Sequence, residues 1–202
     1  MFWRGDFGDS YSKRKVGDDL VADSIALFTR VFSRTKDIKS VMEFGANIGL
    51  NMVAIRALIP DAELSAVEIN KNAVEELKKL GGIKTYSCSM LDFDLSYLYD
   101  LVFTRGVLIH INPLLLNDAY DVLYNSSKRY ILIAEYYNPT PVSLEYRGFS
   151  DRLFKRDFAG EMLDRYPDMV LLDYGFVYHR DNMFPQDDIT WFLFEKHGGD
   201  YD

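Results

Sequence analysis

The segment Ser40-Val41-Met42-Glu43-Phe44-Gly45-Ala46-Asn47-Ile48-Gly49-Leu50-Asn51 constrains the fold more than any other part of the chain. An apolar run of buried-strand character passes straight into a turn holding Gly45 and Gly49. A helical pattern then continues to residue 58, before Pro60 ends it. Strand, glycine turn and helix in direct succession open a parallel α/β sheet. The turn needs one or two left-handed backbone angles, which glycine adopts freely and asparagine tolerates. The helix start beneath it adds free N–H groups. A second acid, Glu68, ends the next apolar run, 19 residues after Gly49. A carboxylate at that place can accept hydrogen bonds from vicinal ribose hydroxyls.

The alternation continues along the chain. Strands are expected over residues 40–44, 63–69, 83–87, 100–104 and 129–135, and helices over 17–33, 49–58, 70–80, 113–126 and 157–166. Asn70 is a candidate helix cap, Gly81-Gly82 a helix stop, and Asn112-Pro113 a helix start. Two closing strands, 169–178 and 189–195, flank a polar turn containing Pro185. The pattern predicts an α/β fold: a Rossmann-like, doubly wound, seven-stranded sheet, mostly parallel, with one antiparallel strand near the C-terminus and helices on both faces. Residues 1–16 read as an arm without regular structure. Residues 136–156, with two prolines and mixed charge, read as a long loop suited to a lid or binding segment. The expected division is an arm and helix over 1–34 and a ligand-binding domain over 35–202.

Length and charge narrow the function classes. A chain of 202 residues fits one domain with a sizeable core. The net charge of −8 argues against a nucleic-acid partner, which needs cationic surface to neutralise phosphates. No apolar stretch reaches the about 18 residues of a membrane span, and the N-terminus lacks a signal peptide's basic and apolar regions. The single cysteine, Cys88, excludes an internal disulfide and fits a cytoplasmic setting as a packed thiol. Three scattered histidines offer no metal-ligand spacing, so no metal is expected. The oligomeric state is left open.

Two adenosine-ligand patterns compete at the glycine turn. Registering Gly-x-Gly-x-x-Gly on Gly45 puts Asn47 and Leu50 in the second and third places, so two of three glycines are missing. Registering acid-x-Gly-x-Gly-x-Gly gives Glu43-x-Gly45-x-Asn47-x-Gly49, with only the middle glycine replaced. That second pattern resembles motif I of the class I S-adenosylmethionine-dependent methyltransferases, and the resemblance spans roughly residues 38–135. It implies S-adenosylmethionine as cofactor, with Glu43 holding its amino-acid end and Gly45, Ala46, Asn47 and Gly49 around it. It places Glu68 and Ile69 at the adenosine, and Asp92 at the adenine amino group with Met90 or Leu91 on the ring. Thr104, Arg105 and Gly106, at the fourth strand's exit, would lie near the methionine half.

A narrower resemblance rests on Trp3-x-Gly5-x-Phe7-Gly8-x-x-Tyr11-x-x-Arg14, on the segment from Glu43 to Asn51, and on Gly106-Val107-Leu108-Ile109-His110-Ile111-Asn112-Pro113. Together these look like the methylases associated with pseudaminic acid and other bacterial surface-sugar biosynthesis. The implied acceptor is small and polar, a sugar or nucleotide-linked intermediate. Trp3 and Tyr11 would fold over the ligand, and Arg14 would reach its carboxylate.

Methyl transfer asks the protein for proximity, alignment and exclusion of water. A hydroxyl acceptor also wants a base. His110 leaves the fourth strand where the methyl group should point, and imidazole titrates near neutrality. It is the candidate base, which favours O- over N-methylation. Tyr136, Tyr137, Asn138, Tyr146 and Arg147 leave the crevice end of the fifth strand and are candidate acceptor contacts. An NAD-dependent oxidoreductase and a non-catalytic ligand-binding partner remain as alternatives.

Overall fold

The computed structural model describes residues 2–12, 18–94 and 96–197. Strand β1 (Ser40–Phe44) is buried along its whole length and lies in mid-sheet. It pairs in parallel with β2 (Glu63–Val67) on one side and β4 (Tyr99–Arg105) on the other. Beyond β2 lies β3 (Ile83–Tyr86), and beyond β4 lies β5 (Ser127–Glu135), both parallel. Strand β9 (Ile189–Lys196) runs antiparallel between β5 and β8 (Met169–Val177). The seven strands stand in the order β3-β2-β1-β4-β5-β9-β8, so the expected sheet, with its single antiparallel strand, is present.

Alternating side chains sort the core into two layers, as strand geometry requires. Met42, Phe44, Val102, Ile131 and Ile133 share one cluster with α5 (Leu116–Ser126) and α6 (Phe158–Arg165). Val41, Leu101, Phe103 and Leu132 share the other with α2 (Asp18–Phe32), α3 (Leu50–Leu58) and α4 (Lys71–Lys79). Helices therefore cover both faces. The winding direction reverses between β1 and β4, which opens a crevice at the carboxyl ends of these strands.

Two expectations are corrected. The arm is not irregular: Phe2–Arg4 forms a 3-10 turn, and Asp6–Ser12 forms helix α1. Gly8 lets that helix sit against the start of α4. A Cβ there would come within 2.1 Å of the Trp3 carbonyl oxygen and 2.7 Å of Asn70 Nδ2. Residues 136–156 are not a plain loop either. They fold into a hairpin of β6 (Val142–Tyr146) and β7 (Phe149–Lys155), antiparallel to each other. Tyr146 faces Phe149 across a two-residue turn, Arg147-Gly148, with φ of 52° and 83°. Both turn residues are left-handed, as the twist of a tight hairpin demands. Arginine at the first place and the two preceding prolines hid this pattern.

The Asn70 cap agrees with the sequence, and the structure adds a second at Asp157. Asn70 Oδ1 accepts from the Ala73 N–H at 2.9 Å to start α4, and Asp157 accepts from the Gly160 N–H at 2.8 Å to start α6. The glycine turn adopts left-handed angles at Gly45 (80°), Asn47 (50°) and Gly49 (86°). Gly49 is needed for packing as well. A Cβ there would lie 2.4 Å from Leu77 Cδ1 and 2.8 Å from Leu80 Cδ1. Gly49→Ala combines a left-handed residue, costing about 1–2 kcal/mol, with overpacking of about 1–3 kcal/mol. Urea unfolding should show a lowered midpoint. Gly106→Ala adds a methyl with no atom within 4 Å and should lose clearly less.

Candidate active site

A cavity of about 390 Å³ occupies the crevice, within the range of about 300–1,000 Å³ usual for small-molecule sites. Its wall includes Gly45, Ala46, Asn47, Glu43, Glu68 and Ile69, together with Met90, Arg105 and Gly106. Trp3 comes in from the arm, His110 from the turn after β4, Tyr136 from the end of β5 and Tyr146 from the hairpin.

Glu43 is fully buried. Its Oε1 accepts from Asn51 Nδ2 at 2.6 Å, while its Oε2 has no hydrogen-bond partner. Burial pushes its carboxyl up to about 8; the Asn51 bond and the nearby Arg105 charge oppose this, and Glu68 adds to it. Arg105 crosses the floor. It donates from Nη1 to Ser24 Oγ (2.9 Å) and Asn51 Oδ1 (2.8 Å), and from Nη2 to Gln186 Oε1 (2.7 Å). One guanidinium thus links β4 to α2, α3 and the loop before β9.

Glu68 holds the glycine turn itself. Its Oε2 accepts from the Asn47 N–H and its Oε1 from the Asn70 N–H, both at 2.7 Å. Burial raises its carboxyl, opposed by these backbone donors. Asn70 Nδ2 in turn donates to the Trp3 carbonyl (3.1 Å) and to Asp9 Oδ1 (2.7 Å), which anchors the arm beside the cavity.

The His110 ring stands between Trp3 (4.7 Å) and Tyr146 (5.0 Å). Its Nδ1 lies 2.6 Å from the Arg152 carbonyl oxygen. A carbonyl only accepts, so Nδ1 carries the hydrogen and Nε2 keeps a lone pair. Burial pushes the imidazole below its ordinary range, so the neutral form is favoured. The turn carrying His110 is held by Glu135, which the sequence reading missed. Glu135 Oε1 accepts from the Val107 and Leu108 N–H groups (3.0 and 3.1 Å), and Oε2 from that of Ile109 (3.4 Å). Burial raises Glu135 to about 7 against those three bonds. The signal was present: an acid closing a fully apolar strand, as in Glu43.

Other candidates lie elsewhere. Gly49 packs under the turn against α4, and Thr104 is wholly buried in β4. Leu91 packs against the core, and Asp92 is exposed beside Arg4 at 3.8 Å. Cys88 and Ser89 line the cavity with Met90 instead. Tyr137 rests on Phe192, Asn138 bonds the Thr140 carbonyl at 2.5 Å, and the Arg147 guanidinium lies over the Tyr146 ring at 5.6 Å. None of these three lines the cavity. Tyr11 belongs to α1, and Arg14 lies outside the described residues. No group of His, Cys, Asp and Glu suited to a metal occurs among the described residues, and no described helix is long and apolar enough to cross a membrane.

No protein-family model and no curated protein matches the sequence. Solved structures do match. The plantazolicin methyltransferase BpumL in complex with SAH (S-adenosylhomocysteine) aligns with a TM-score of 0.67 at 13% identity, over 98% of this chain and 93% of that one. Magnesium protoporphyrin IX methyltransferase (ChlM) from Synechocystis PCC 6803 with bound SAH gives 0.68 at 12% identity, over 96% of each chain. The chain has the class I methyltransferase fold. SAM-bound CalS10, an amino pentose methyltransferase from Micromonospora echinaspora, gives 0.63 at 10% identity, over 94% of this chain and 95% of that one.

Within this fold the state of Glu43 is measurable. The carboxyl titrates near 4.5 when exposed and near 8 when folded. Between those values the folded chain binds more protons than the unfolded one, so stability is full below 4.5 and falls as pH rises through 8. Glu43→Gln should flatten this loss by on the order of 1–3 kcal/mol between pH 5 and 8. Urea melts of both proteins across that window provide the check. Parallel slopes would mean that Glu43 is already ionised at neutral pH.

Proposed function

We propose that the chain is an S-adenosylmethionine-dependent methyltransferase acting on a small polar acceptor. The acceptor we favour is a sugar or nucleotide-linked intermediate of bacterial surface-glycan assembly in the cytoplasm, methylated on oxygen. The observation that carries the cofactor reading is Glu43, a buried carboxyl group at the cavity wall whose Oε2 is left without a partner. A buried polar atom without a partner is costly; a ligand ammonium would pair with it and favour the ionised form that burial disfavours. Glu68 fits the same ligand, because two carboxyl oxygens can accept more than the backbone bonds from Asn47, Asn70 and Ile69. The Gly45–Asn47 backbone and Gly106 then border the ligand, with Met90 and Ile69 beside the adenosine.

When bound, S-adenosylmethionine supplies an electrophilic methyl group on a positively charged sulfur. The chain's own part is to orient, to exclude water and to move one proton. Trp3, Tyr136 and Tyr146 wall the acceptor side with rings, and such rings suit the apolar face of a sugar. His110 Nε2 accepts the proton of the acceptor hydroxyl, while Nδ1–H stays on the Arg152 carbonyl and keeps the ring oriented. Burial disfavours the resulting imidazolium, which helps it pass the proton on. Glu135 is a positioning residue for this base. Residues 1–34 serve as the lid, with Trp3 as the part that meets the cavity. CalS10, named as acting on an amino pentose, supports a sugar acceptor.

Thermal unfolding with SAH, and with NADH as control, tests the cofactor. Ligand at a hundred times its dissociation constant adds about 2.7 kcal/mol, a shift of roughly 5–10 °C. A shift with NADH alone would replace this reading by that of an oxidoreductase. The base has its own test. Across a panel of sugar acceptors, His110→Gln should lower methyl transfer by about 10²–10⁴-fold with the SAH shift intact. Parental turnover by the variant would remove the base and the preference for oxygen.

A further inference from the structure

One side chain of the cavity wall carries a hydrogen-bonding group that the proposed chemistry leaves unused. Gln186 lies on the loop between β8 and β9, is 7% exposed, and lines the cavity. Its Oε1 accepts from Arg105 Nη2 at 2.7 Å. A guanidinium only donates, so the amide oxygen faces Arg105 and the amide nitrogen is turned away from it. Nε2 makes no hydrogen bond among the described residues. Nor is it one of the partnerless atoms sealed inside the described part of the protein, which are Glu43 Oε2, Thr104 Oγ1, Ser126 Oγ and Trp191 Nε1. The nitrogen therefore opens onto free space, and the space that Gln186 borders is the cavity.

The loop holds this amide in place. The Gln186 N–H donates to the Tyr178 carbonyl at 3.0 Å, and the Gln186 carbonyl accepts from the Asp188 N–H at 2.9 Å. Asp188 Oδ1 accepts from the His179 N–H at 3.0 Å, and both Asp188 oxygens lie within 2.9 Å of His179 Nδ1. The two ends of the loop are thus tied to each other, and a donor fixed in advance costs little ordering when a ligand binds. The same side chain leads back to Glu43. Arg105 Nη1 donates to Asn51 Oδ1 at 2.8 Å, and Asn51 Nδ2 donates to Glu43 Oε1 at 2.6 Å. The row Glu43–Asn51–Arg105–Gln186 therefore runs in one direction, set by Arg105. It ends in a carboxyl oxygen without a partner on one side and the Gln186 Nε2 donor on the other. Both ends border one cavity of about 390 Å³, and the Arg105 charge acts on Glu43 through space, which keeps them within reach of a single ligand.

We infer that Gln186 binds the carboxylate of the cofactor's amino-acid end, donating from Nε2, while Glu43 pairs with the ammonium of the same group. The inference rests on the S-adenosylmethionine reading of the cavity. An α-amino acid carries its ammonium and its carboxylate on one carbon, so its site needs a carboxyl group and a donor facing the same space. The row supplies the first from β1 and the second from the β8–β9 loop, and the Arg105 guanidinium sets a positive charge beside the amide. Asp23 and Asp187 also line the cavity, and each is engaged in an interaction of its own. The loop before the last strand is thereby part of the cofactor's site.

Calorimetric titration of the full chain is the test. The ligands are SAH, its decarboxylated analogue S-adenosyl-3-thiopropylamine, and 5′-methylthioadenosine, which lacks the whole amino-acid end. The parent should favour SAH over the decarboxylated analogue by about 10–100-fold, the value of a hydrogen bond to a charged group. Gln186→Glu keeps an oxygen for Arg105 and replaces only the donor, so its circular dichroism should match the parent's. In this variant the preference for SAH should vanish or reverse, with 5′-methylthioadenosine bound as tightly as by the parent. Gln186→Met, which adds no charge, should lose the preference too. A parent without that preference, or a folded variant that keeps it, overturns the carboxylate assignment. So does a variant that changes only the KM for the acceptor, which would move Nε2 to the acceptor's side. A parent that binds none of the three ligands overturns the cofactor reading, and the inference with it.

Discussion

Two carboxylates that fold back on the backbone give the crevice its shape. Glu68, just past β2, accepts the N–H groups of Asn47 and Asn70; Glu135, ending β5, accepts those of Val107, Leu108 and Ile109. A loop at a sheet end leaves its amides facing a partly apolar cavity, where an unpaired donor is costly. Each acid satisfies several donors at once. The glycine turn and the His110 turn are thereby held as rigid lips on either side of the cavity. Burial disfavours the charge of both acids, and the donors they gather offset that cost. Glu43 is the third acid of this kind, but it has one oxygen to spare.

Much of this was legible in the sequence because it depends on local rules. The unit from Ser40 to Leu58 announces itself through an apolar run, a glycine turn and a helical pattern, and the structure places these elements within a residue of expectation. Asn70 caps α4 as its side chain and place in the sequence predict. The cavity residues that were legible, such as Asn47, Arg105 and His110, sit at strand exits, where topology alone directs them to the crevice.

The parts that were hidden depend on partners far away in the chain. The arm is helical because Gly8 fits against Asn70, 62 positions later, and no local pattern encodes that. The hairpin's alternation was masked by prolines and by an Arg-Gly turn in place of the usual Asn-Gly. Gly49 has the expected left-handed angle, but its neighbours are Leu77 and Leu80 rather than the cavity. Asp92 carries the right residue type at the right spacing, yet its side chain points to solvent beside Arg4. Spacing reports which strand end a residue occupies, not which way it turns there.

The hydrogen bond between His110 and the hairpin is made by main chain, not side chain. Arg152 offers its carbonyl oxygen, a group that almost any residue at that position would also present. The rest of the hairpin is a two-stranded unit, joined to the body by the Tyr137–Arg156 bridge and by ring contacts from Phe7. Apart from Tyr146, whose ring lies against the imidazole, and Leu153, which is buried in the core, its side chains are therefore free to drift under selection without disturbing that hydrogen bond. A lineage built on this scaffold could exchange much of the surface this hairpin shows to solvent as a cassette, while the hydrogen bond that orients His110 is inherited unchanged.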